Sequence, residues 1–215
     1  MRSIMILNAK GGSGKSTVAT NLASYYAQAG KNVILADYDP QESSLEWLAA
    51  RPKGKNDIKG IAAHSNPVRA SSNTDVVIFD VPASVHGGAL AQIVKRAQTI
   101  VIPVLPSPID MRACAKFLKE LKATPTITNK QAKIGIVANR ARGNTNIFLE
   151  LDEYLEGLRG VKYITALRDT TNYLRAAERG LGIFDLSGSA TAVDRDEWQP
   201  LIEWLDSKKS QVPKS

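Results

Sequence analysis

The residues most able to do chemistry lie in the stretch NAKGGSGKST, which runs from Asn8 to Thr17. Its second half lies between an apolar run that predicts a strand and an amphipathic run that predicts a helix. In that setting, backbone N–H groups and the N-terminus of the helix can hold a phosphate group. Lys15 would reach the β- and γ-phosphates of a nucleotide, Ser16 would ligate Mg²⁺, and Thr17 would contact the α-phosphate. The stretch therefore predicts a nucleotide site made by Gly11, Gly12, Ser13, Gly14, Lys15, Ser16 and Thr17.

Two residues of this stretch depart from the usual phosphate loop. The pattern G-x-x-x-x-G-K-S/T requires a glycine where this chain has Ala9, so the plain pattern fails by one residue. Lys10 is one lysine more than a phosphate loop needs. The alternatives are a glycine-rich turn without a ligand and, for Lys10, a loop lysine that contacts only its own subunit's nucleotide. The strand before the loop and the helix after it favour the phosphate site.

Three aspartates follow predicted strands near this loop. Asp37 and Asp39 lie in ADYDPQESS, and Asp80 ends the run DVVIFD. An aspartate at the C-terminal end of a parallel strand lies over the phosphate crevice. Asp39 could bind Mg²⁺-bound water or orient the attacking water, with Asp37 supporting it, and Asp80 could hold Mg²⁺ through water. One such aspartate could merely cap a turn, but three together favour a metal site of Ser16, Asp39 and Asp80.

The elements that must position these residues alternate along the chain. Short apolar runs predict buried parallel strands at SIMIL (3–7), NVILA (32–36), DVVIF (75–79), TIVIPV (99–104) and KIGIVA (133–138). Longer helical patterns lie between them, which predicts an α/β fold with a mostly parallel twisted sheet and helices on both faces. We expect residues 51–73 to form a surface loop in which only IKGIAAH can add a short strand. We expect one domain over residues 1–206 and a tail over residues 207–215.

The composition limits the classes of protein that fit. The 215-residue chain is long enough for one well-packed domain and short for two. Its single cysteine, Cys114, excludes a disulfide framework and a metal site made of cysteines alone, which favours a reducing, intracellular setting. The formal net charge of +7 suits an anionic partner. Without a signal-peptide layout or a run near the ~20 apolar residues of a membrane span, we expect a cytoplasmic protein.

The motifs KGGSGKST, DYDPQ and DVPA resemble, in order and spacing, the deviant Walker A, switch I and Walker B regions of the ParA/MinD family of P-loop ATPases. The resemblance implies that Lys10 crosses to the partner subunit and contacts its ATP, so that two subunits form a homodimer around the nucleotide. It implies a catalytic set of Lys10, Lys15, Asp39 and Asp37. The stretch IVANR resembles the strand end whose asparagine, here Asn139, contacts adenine, and VLPSPIDM (104–111) resembles a loop of the dimer interface.

The branch of the family is indicated by the start and the end of the chain. The chain begins at the first predicted strand, so an N-terminal operator-binding extension is not expected and the chain resembles the short ParA proteins of the ParF and McdA type. The stretch TALRDTTNYLRAAERGLGIF is similar to the region where this branch keeps a basic residue near Arg175 for DNA. The resemblance implies an ATPase that is stimulated by a ParB- or McdB-like adaptor. Such an ATPase positions a plasmid, a chromosome region or a carboxysome-like body on the nucleoid.

Basic residues support a DNA-binding surface. Arg112, Lys116 and Lys119 fall at i, i+4 and i+7 of a predicted helix, a stripe that can equally be a solvated face. Further arginines in the second half of the sequence favour contacts to the phosphate backbone of double-stranded DNA without base readout. The candidate DNA-binding set is Arg112, Lys116, Lys119, Arg140, Arg142, Arg168 and Arg175.

Two other functions stay open. A MinD-like membrane-cycling ATPase would need a basic amphipathic C-terminal helix. In DRDEWQPLIEWLDSKK, however, Asp194, Glu197, Glu203 and Asp206 surround an apolar side, so no membrane partner is expected and the helix should pack on the sheet. A small-molecule ligase or metallochaperone of the wider superfamily would need metal ligands or a nucleophile near the γ-phosphate, and the sequence shows neither. A nitrogenase-reductase-like carrier is excluded because it needs bridging cysteines.

Overall fold

The computed structural model describes residues 1–212 of the chain. Its centre is one sheet of seven strands in the order β3-β2-β4-β1-β5-β6-β7, and every neighbouring pair is parallel. The strands are β1 (Arg2–Ile6), β2 (Val33–Asp37), β3 (Ile58–Ala62), β4 (Val76–Asp80), β5 (Thr99–Val104), β6 (Lys133–Ala141) and β7 (Lys162–Arg168). The sheet confirms the predicted α/β fold class.

Helices cover both faces of the sheet. They are α1 (Lys15–Gln28), α2 (Ser43–Ala49), α3 (Gly87–Ile93), α4 (Pro108–Lys122), α5 (Pro125–Thr128), α6 (Asn146–Glu156), α7 (Asn172–Ala177) and α8 (Ala192–Asp206). On one face, α3, α4 and α6 pack on the strands through Leu90, Phe117 and Leu151. On the other face, α1 and α8 pack through Leu22 and Trp198. The two cores hold the strand ends fixed, and the catalytic residues are expected at those ends.

The apolar runs predicted five strands correctly, because those strands are buried on both faces. The short stretch IKGIAAH also forms a strand, β3, at one edge of the sheet. The strand at the other edge, β7, was not predicted. Its sequence KYITALR contains no continuous apolar run, because five of its seven side chains are only half-buried and one is exposed.

The C-terminal helix packs on the sheet, as the sequence predicted, with Trp198, Leu201 and Leu205 fully buried. One acidic residue differs from expectation. Asp194 does not lie on the solvent side but is fully buried, because its carboxylate accepts hydrogen bonds from Arg168 and Asn172. No helix among residues 1–212 combines the length and apolar character needed to cross a membrane.

Part of the expected tail is packed against the domain. Lys208–Ser210 form a 3₁₀ turn, and Ser210 is buried. The backbone carbonyl of Ser210 accepts a hydrogen bond from the Thr99 hydroxyl at 2.7 Å, and its own hydroxyl accepts one from Arg2 at 3.0 Å. These contacts tie the turn to the first residues of β1 and β5. Residues 213–215 lie outside the described part, and the expected domain boundary at residue 206 stays a prediction.

Candidate active site

The loop from β1 to α1 adopts a backbone that requires glycine. Gly12 and Gly14 have φ values of +75° and +90°, in the left-handed region that side chains disfavour. At Gly14 a Cβ would also come within 2.1 Å of the Asn139 amide nitrogen. The loop therefore passes too close to β6 for any other residue at position 14. This geometry leaves the backbone N–H groups at the N-terminus of α1 available for a phosphate.

Two buried asparagines fix this loop to the sheet. Asn8 donates a hydrogen bond to the carbonyl of Pro103 at 2.7 Å and accepts one from the Lys10 backbone N–H at 3.2 Å. Asn139 donates to the carbonyl of Ser13 at 2.8 Å. From the sequence, Asn139 was predicted only to contact adenine, and Asn8 was predicted for no role. The one signal for Asn8 was a polar residue directly after the apolar run IMIL (4–7).

Asp37 and Asp80 end neighbouring parallel strands and are paired directly in the register of β2 and β4. Asp37 is fully buried and accepts hydrogen bonds from the Asp39 backbone N–H at 2.9 Å and from the Ser44 hydroxyl at 2.7 Å. It therefore anchors the loop between β2 and α2 and does not line the cleft. Asp39 does line the cleft, and its carboxylate accepts from the Gln41 backbone N–H at 3.0 Å.

These elements enclose a cleft of about 360 Å³ at the C-terminal edge of the sheet. It brings together the predicted loop residues Gly11, Gly12, Gly14, Lys15, Ser16 and Thr17 with Asp39 and Asp80. Lys10 is next to the loop but is not part of the lining. Arg140, which the sequence analysis assigned to DNA, is part of it. The cleft thus gathers most of the predicted nucleotide and metal residues and leaves out Lys10, Ser13, Asp37 and Asn139.

The charges in the cleft are partly buried. Lys15 is 9% exposed, and its ammonium group donates to the Lys10 carbonyl at 3.1 Å. Burial lowers the pKa of Lys15, while Asp80 and Asp39 raise it. Burial also raises the pKa of Asp80 to about 7, with a further increase from Asp37, whereas Ser16 and Lys15 lower it. The Oδ2 atom of Asp80 is buried and has no hydrogen-bond partner within residues 1–212, which suits an atom that holds a cation or its water.

A second cleft of about 240 Å³ continues from the first. The two share Thr17 and Arg140, and the second also includes Asn139, Asp169 and Tyr173. Asn139 is thus next to both the phosphate loop and this extension, where the base of a nucleotide would lie. The predicted adenine contact remains a prediction.

The structure does not gather the seven candidate DNA-binding residues on one surface. Arg112, Lys116 and Lys119 are exposed on α4, which packs on the same face of the sheet as α3 and α6. The other four lie around the ends of β6 and β7 and on α7: Arg140, Arg142, Arg168 and Arg175.

Two members of the second group already have partners. Arg168 forms an ion pair with buried Asp194 at 2.5 Å, and Arg142 pairs with Asp169 at 2.7 Å. Arg175 is exposed on α7 and has no carboxylate within 4.0 Å in the described part of the chain. Of the four, Arg175 is therefore the residue best placed for an external phosphate.

Comparisons with known proteins identify the family of this chain. The sequence profile of CbiA, the CobQ/CobB/MinD/ParA nucleotide binding domain, matches residues 4–183. Two relatives are named maintenance of carboxysome distribution protein A. The one from Halothiobacillus neapolitanus is 28% identical over 210 residues, which cover 95% of this chain and 96% of the relative. The one from Gloeobacter kilaueensis is 30% identical over 211 residues, which cover 95% and 94%.

A solved structure, apo McdA from Cyanothece, superposes with a TM-score of 0.73 at 16% identity and covers 95% of this chain and 99% of that one. At this identity the likeness shows the fold alone. The family profile spans the phosphate loop, both aspartate-bearing strand ends and Asn139. The chain therefore belongs to the CobQ/CobB/MinD/ParA family of nucleotide-binding domains, as its resemblance to the ParA/MinD proteins predicted.

Proposed function

We propose that this protein is a ParA-type ATPase that dimerises around Mg·ATP, binds double-stranded DNA without sequence preference and positions a cargo on the nucleoid. The observation that carries the proposal is the cleft in which Lys15, Ser16, Asp39 and Asp80 meet at the N-terminus of α1. This is the set of groups that binding and hydrolysis of a nucleoside triphosphate require.

The residues of the cleft fit a magnesium ion held jointly with phosphate. The hydroxyl of Ser16 and the unpartnered Oδ2 of Asp80 are oxygen donors, the kind that Mg²⁺ prefers. Within residues 1–212, no cluster of three His, Cys, Asp or Glu side chains could hold a metal ion by itself. When bound, Mg²⁺ supplies charge neutralisation at the β- and γ-phosphates. Lys15 adds a second positive charge, and its own position is fixed by the Lys10 carbonyl.

Hydrolysis is assigned to Asp39. Its carboxylate lines the cleft, and the backbone on either side of it is held by Asp37 and by its own contact with Gln41. We infer that Asp39 orients the attacking water and that Asp37 positions Asp39 from behind. The chemistry is slow without help and is accelerated by an adaptor of the ParB or McdB kind.

Lys10 is the residue through which ATP would favour a dimer. Its backbone is fixed by Asn8 and Lys15, yet its side chain does not line its own cleft. A lysine that reaches the partner's phosphates neutralises their charge only when two subunits meet. ATP then binds the dimer more tightly than the monomer and shifts the population toward it.

The relatives support the choice of cargo. Both full-length relatives are named for the maintenance of carboxysome distribution, so among a plasmid, a chromosome region and a carboxysome-like body we favour the last. DNA binding would use exposed arginines and lysines, Arg175 first among them. Two copies of each basic patch in a dimer would raise a weak contact to a useful avidity. The protein would then be cytoplasmic and associated with the nucleoid, with no membrane partner.

The experiment that tests this proposal is a gel-shift titration with a random-sequence DNA duplex. Wild type, Arg175→Ala and Arg69→Ala are compared with ATP, with ADP and without nucleotide, at several salt concentrations. Arg69 is an exposed arginine in the loop before β4 and serves as the matched control. We expect binding that requires ATP, weakens steeply with salt and drops about tenfold in Arg175→Ala but not in Arg69→Ala.

The same samples are examined by sedimentation velocity, so that dimerisation and DNA binding are separated. An ATP-dependent dimer that ignores DNA in every nucleotide state would leave the ATPase assignment intact and refute the nucleoid part. Vesicles of anionic lipid are included in parallel, because ATP-dependent pelleting with them would replace our proposal with the membrane-cycling alternative.

A further inference from the structure

A separate cavity lies at the opposite edge of the sheet from the nucleotide cleft. It has a volume of about 270 Å³ and shares no residue with the cleft. Lys133 and Lys162, the first residues of β6 and β7, are part of its lining. The nucleotide cleft, in contrast, lies at the C-terminal ends of strands β2, β4 and β6. Because the strands are parallel, the two sites are separated by the length of the sheet.

The lining of this cavity carries charge of one sign. It contains Lys130, Lys133, Lys162 and Lys209, and no aspartate or glutamate. None of these lysines has a carboxylate oxygen within 4.0 Å in the described part of the chain. Four like charges around one concave surface repel each other, so an anionic occupant would relieve the repulsion. We call this site the lysine cavity.

The rest of the lining is mainly apolar and includes Ile127, Ile134 and Trp204. Gly135 on β6 lets the Trp204 ring approach closely, because a Cβ there would come within 2.6 Å of its Cζ3 atom. The indole N–H groups of Trp47 and Trp198 donate to Leu181 and Tyr173. That of half-buried Trp204 has no acceptor among residues 1–212. The cavity thus combines an apolar surface with four lysines.

We propose that the lysine cavity binds an acidic peptide segment of a partner protein, with an apolar side chain packed on Trp204 and carboxylates at the lysines. A mixed apolar and cationic lining matches a peptide that carries both kinds of side chain. It matches nucleic acid less well, because all four cations are lysines, without the planar guanidinium that binds phosphate in a bidentate manner.

The test uses the full chain and two fluorescein-labelled peptides of matched charge, DEFEDLEE and DESEDSEE, in fluorescence anisotropy titrations. Lys162→Glu/Lys209→Glu reverses two charges of the cavity. Lys31→Glu/Lys95→Glu is the matched control, because it changes the net charge equally at exposed lysines outside the cavity. We expect DEFEDLEE to bind wild type and the control, and to bind the cavity variant at least about tenfold more weakly. DESEDSEE should bind wild type more weakly than DEFEDLEE does, because it cannot cover Trp204.

Two further measurements complete the test. Binding of a labelled ADP should be equal in all three proteins, which separates a failure at the lysine cavity from a failure of the nucleotide site. A labelled single-stranded oligonucleotide is titrated in the same way. Equal binding of DEFEDLEE to the cavity variant and the control, or no binding to wild type, would overturn the proposal. Loss of oligonucleotide binding in the cavity variant alone would overturn it as well, in favour of nucleic acid.

Discussion

Replacing Asp80 with asparagine should stabilise the nucleotide-free protein at pH 8, although it removes a residue that we assign to Mg²⁺. The reason is the burial of this carboxyl group, which raises its pKa from 3.8 to about 7. A group whose pKa is higher in the folded than in the unfolded state destabilises the fold once both states are ionised. Protonated Asp80 stabilises the folded state relative to ionised Asp80. This stabilisation is fully present below about pH 4 and is lost as the pH rises through about 7. Asparagine is neutral throughout and avoids this loss.

The magnitude follows from the pKa difference. At about 1.4 kcal/mol for each pKa unit, ionised Asp80 costs on the order of 4 kcal/mol at pH 8. Water that enters the cleft reduces this, so we expect Asp80→Asn to raise the free energy of unfolding by about 2 kcal/mol or more at pH 8. At pH 4.5 the gain should be about 1 kcal/mol or less, because the folded-state carboxyl group is protonated there.

The assay is urea unfolding followed by circular dichroism between pH 4.5 and pH 8, without nucleotide or metal. Asp57→Asn is the control, since Asp57 is exposed and its replacement should change the free energy by less than about 0.5 kcal/mol. With Mg·ATP added, wild type should gain stability and Asp80→Asn should gain less. A variant that is less stable than wild type at pH 8, or a gain that is independent of pH, would refute the reasoning about buried Asp80.

Three further replacements test other parts of the site. Gly14→Ala should lower the free energy of unfolding by more than the ~1–2 kcal/mol that a left-handed alanine costs, and it should abolish nucleotide binding. Gly12→Ala has open space at its Cβ and should lower the free energy of unfolding by about 1 kcal/mol. Urea unfolding compares the two variants. Ser44→Ala should lower the free energy of unfolding by about 2 kcal/mol, because it removes a hydrogen bond to the fully buried side chain of Asp37, and an unchanged value would contradict that role. Lys10→Ala should bind labelled ATP yet stay monomeric in sedimentation velocity, and a persistent ATP-dependent dimer would exclude the contact in trans.

The predicted parts of the site share one property: each is encoded by neighbouring residues. The phosphate loop is a continuous stretch between a strand and a helix. Asp80 ends strand β4, Asp39 lies two residues after the end of β2, and both strands are apolar up to their last residue. Once the sheet is known to be parallel, these strand ends must meet at one edge. The cleft that gathers them was therefore accessible from local pattern alone.

The unpredicted parts depend on contacts between distant residues. The anchors of the phosphate loop join Asn8 to Pro103 and Ser13 to Asn139, and no local pattern reports such pairs. The same holds for Arg168, which appeared to be one more surface arginine until its ion pair with buried Asp194 was seen. Edge strand β7 was missed for a related reason, since its half-buried residues carry too little apolar signal.

A further long-range connection links helix α2 and Arg51 to residues 181–185. Trp47 on α2 donates its indole N–H to the Leu181 carbonyl at 3.0 Å. Arg51, just after α2, forms an ion pair with Asp185 at 2.8 Å, and their side chains are only 6% and 1% exposed. Breaking a buried pair of this kind leaves an uncompensated charge and costs about 3–5 kcal/mol. We therefore expect a movement of α2 to displace residues 181–185 as well.

This connection links the proposed nucleotide site to the residue that we propose for DNA binding. The N-terminus of α2 is anchored by Asp37, two residues before Asp39, which we expect to lie near the γ-phosphate. Residues 181–185, at the other end, begin four residues after the end of α7, which carries Arg175. A change in the nucleotide at one end thus has a stiff, buried route to the residue that we assign to DNA at the other. The route lies within one chain, so we expect the surroundings of Arg175 to respond to the nucleotide bound by the same chain.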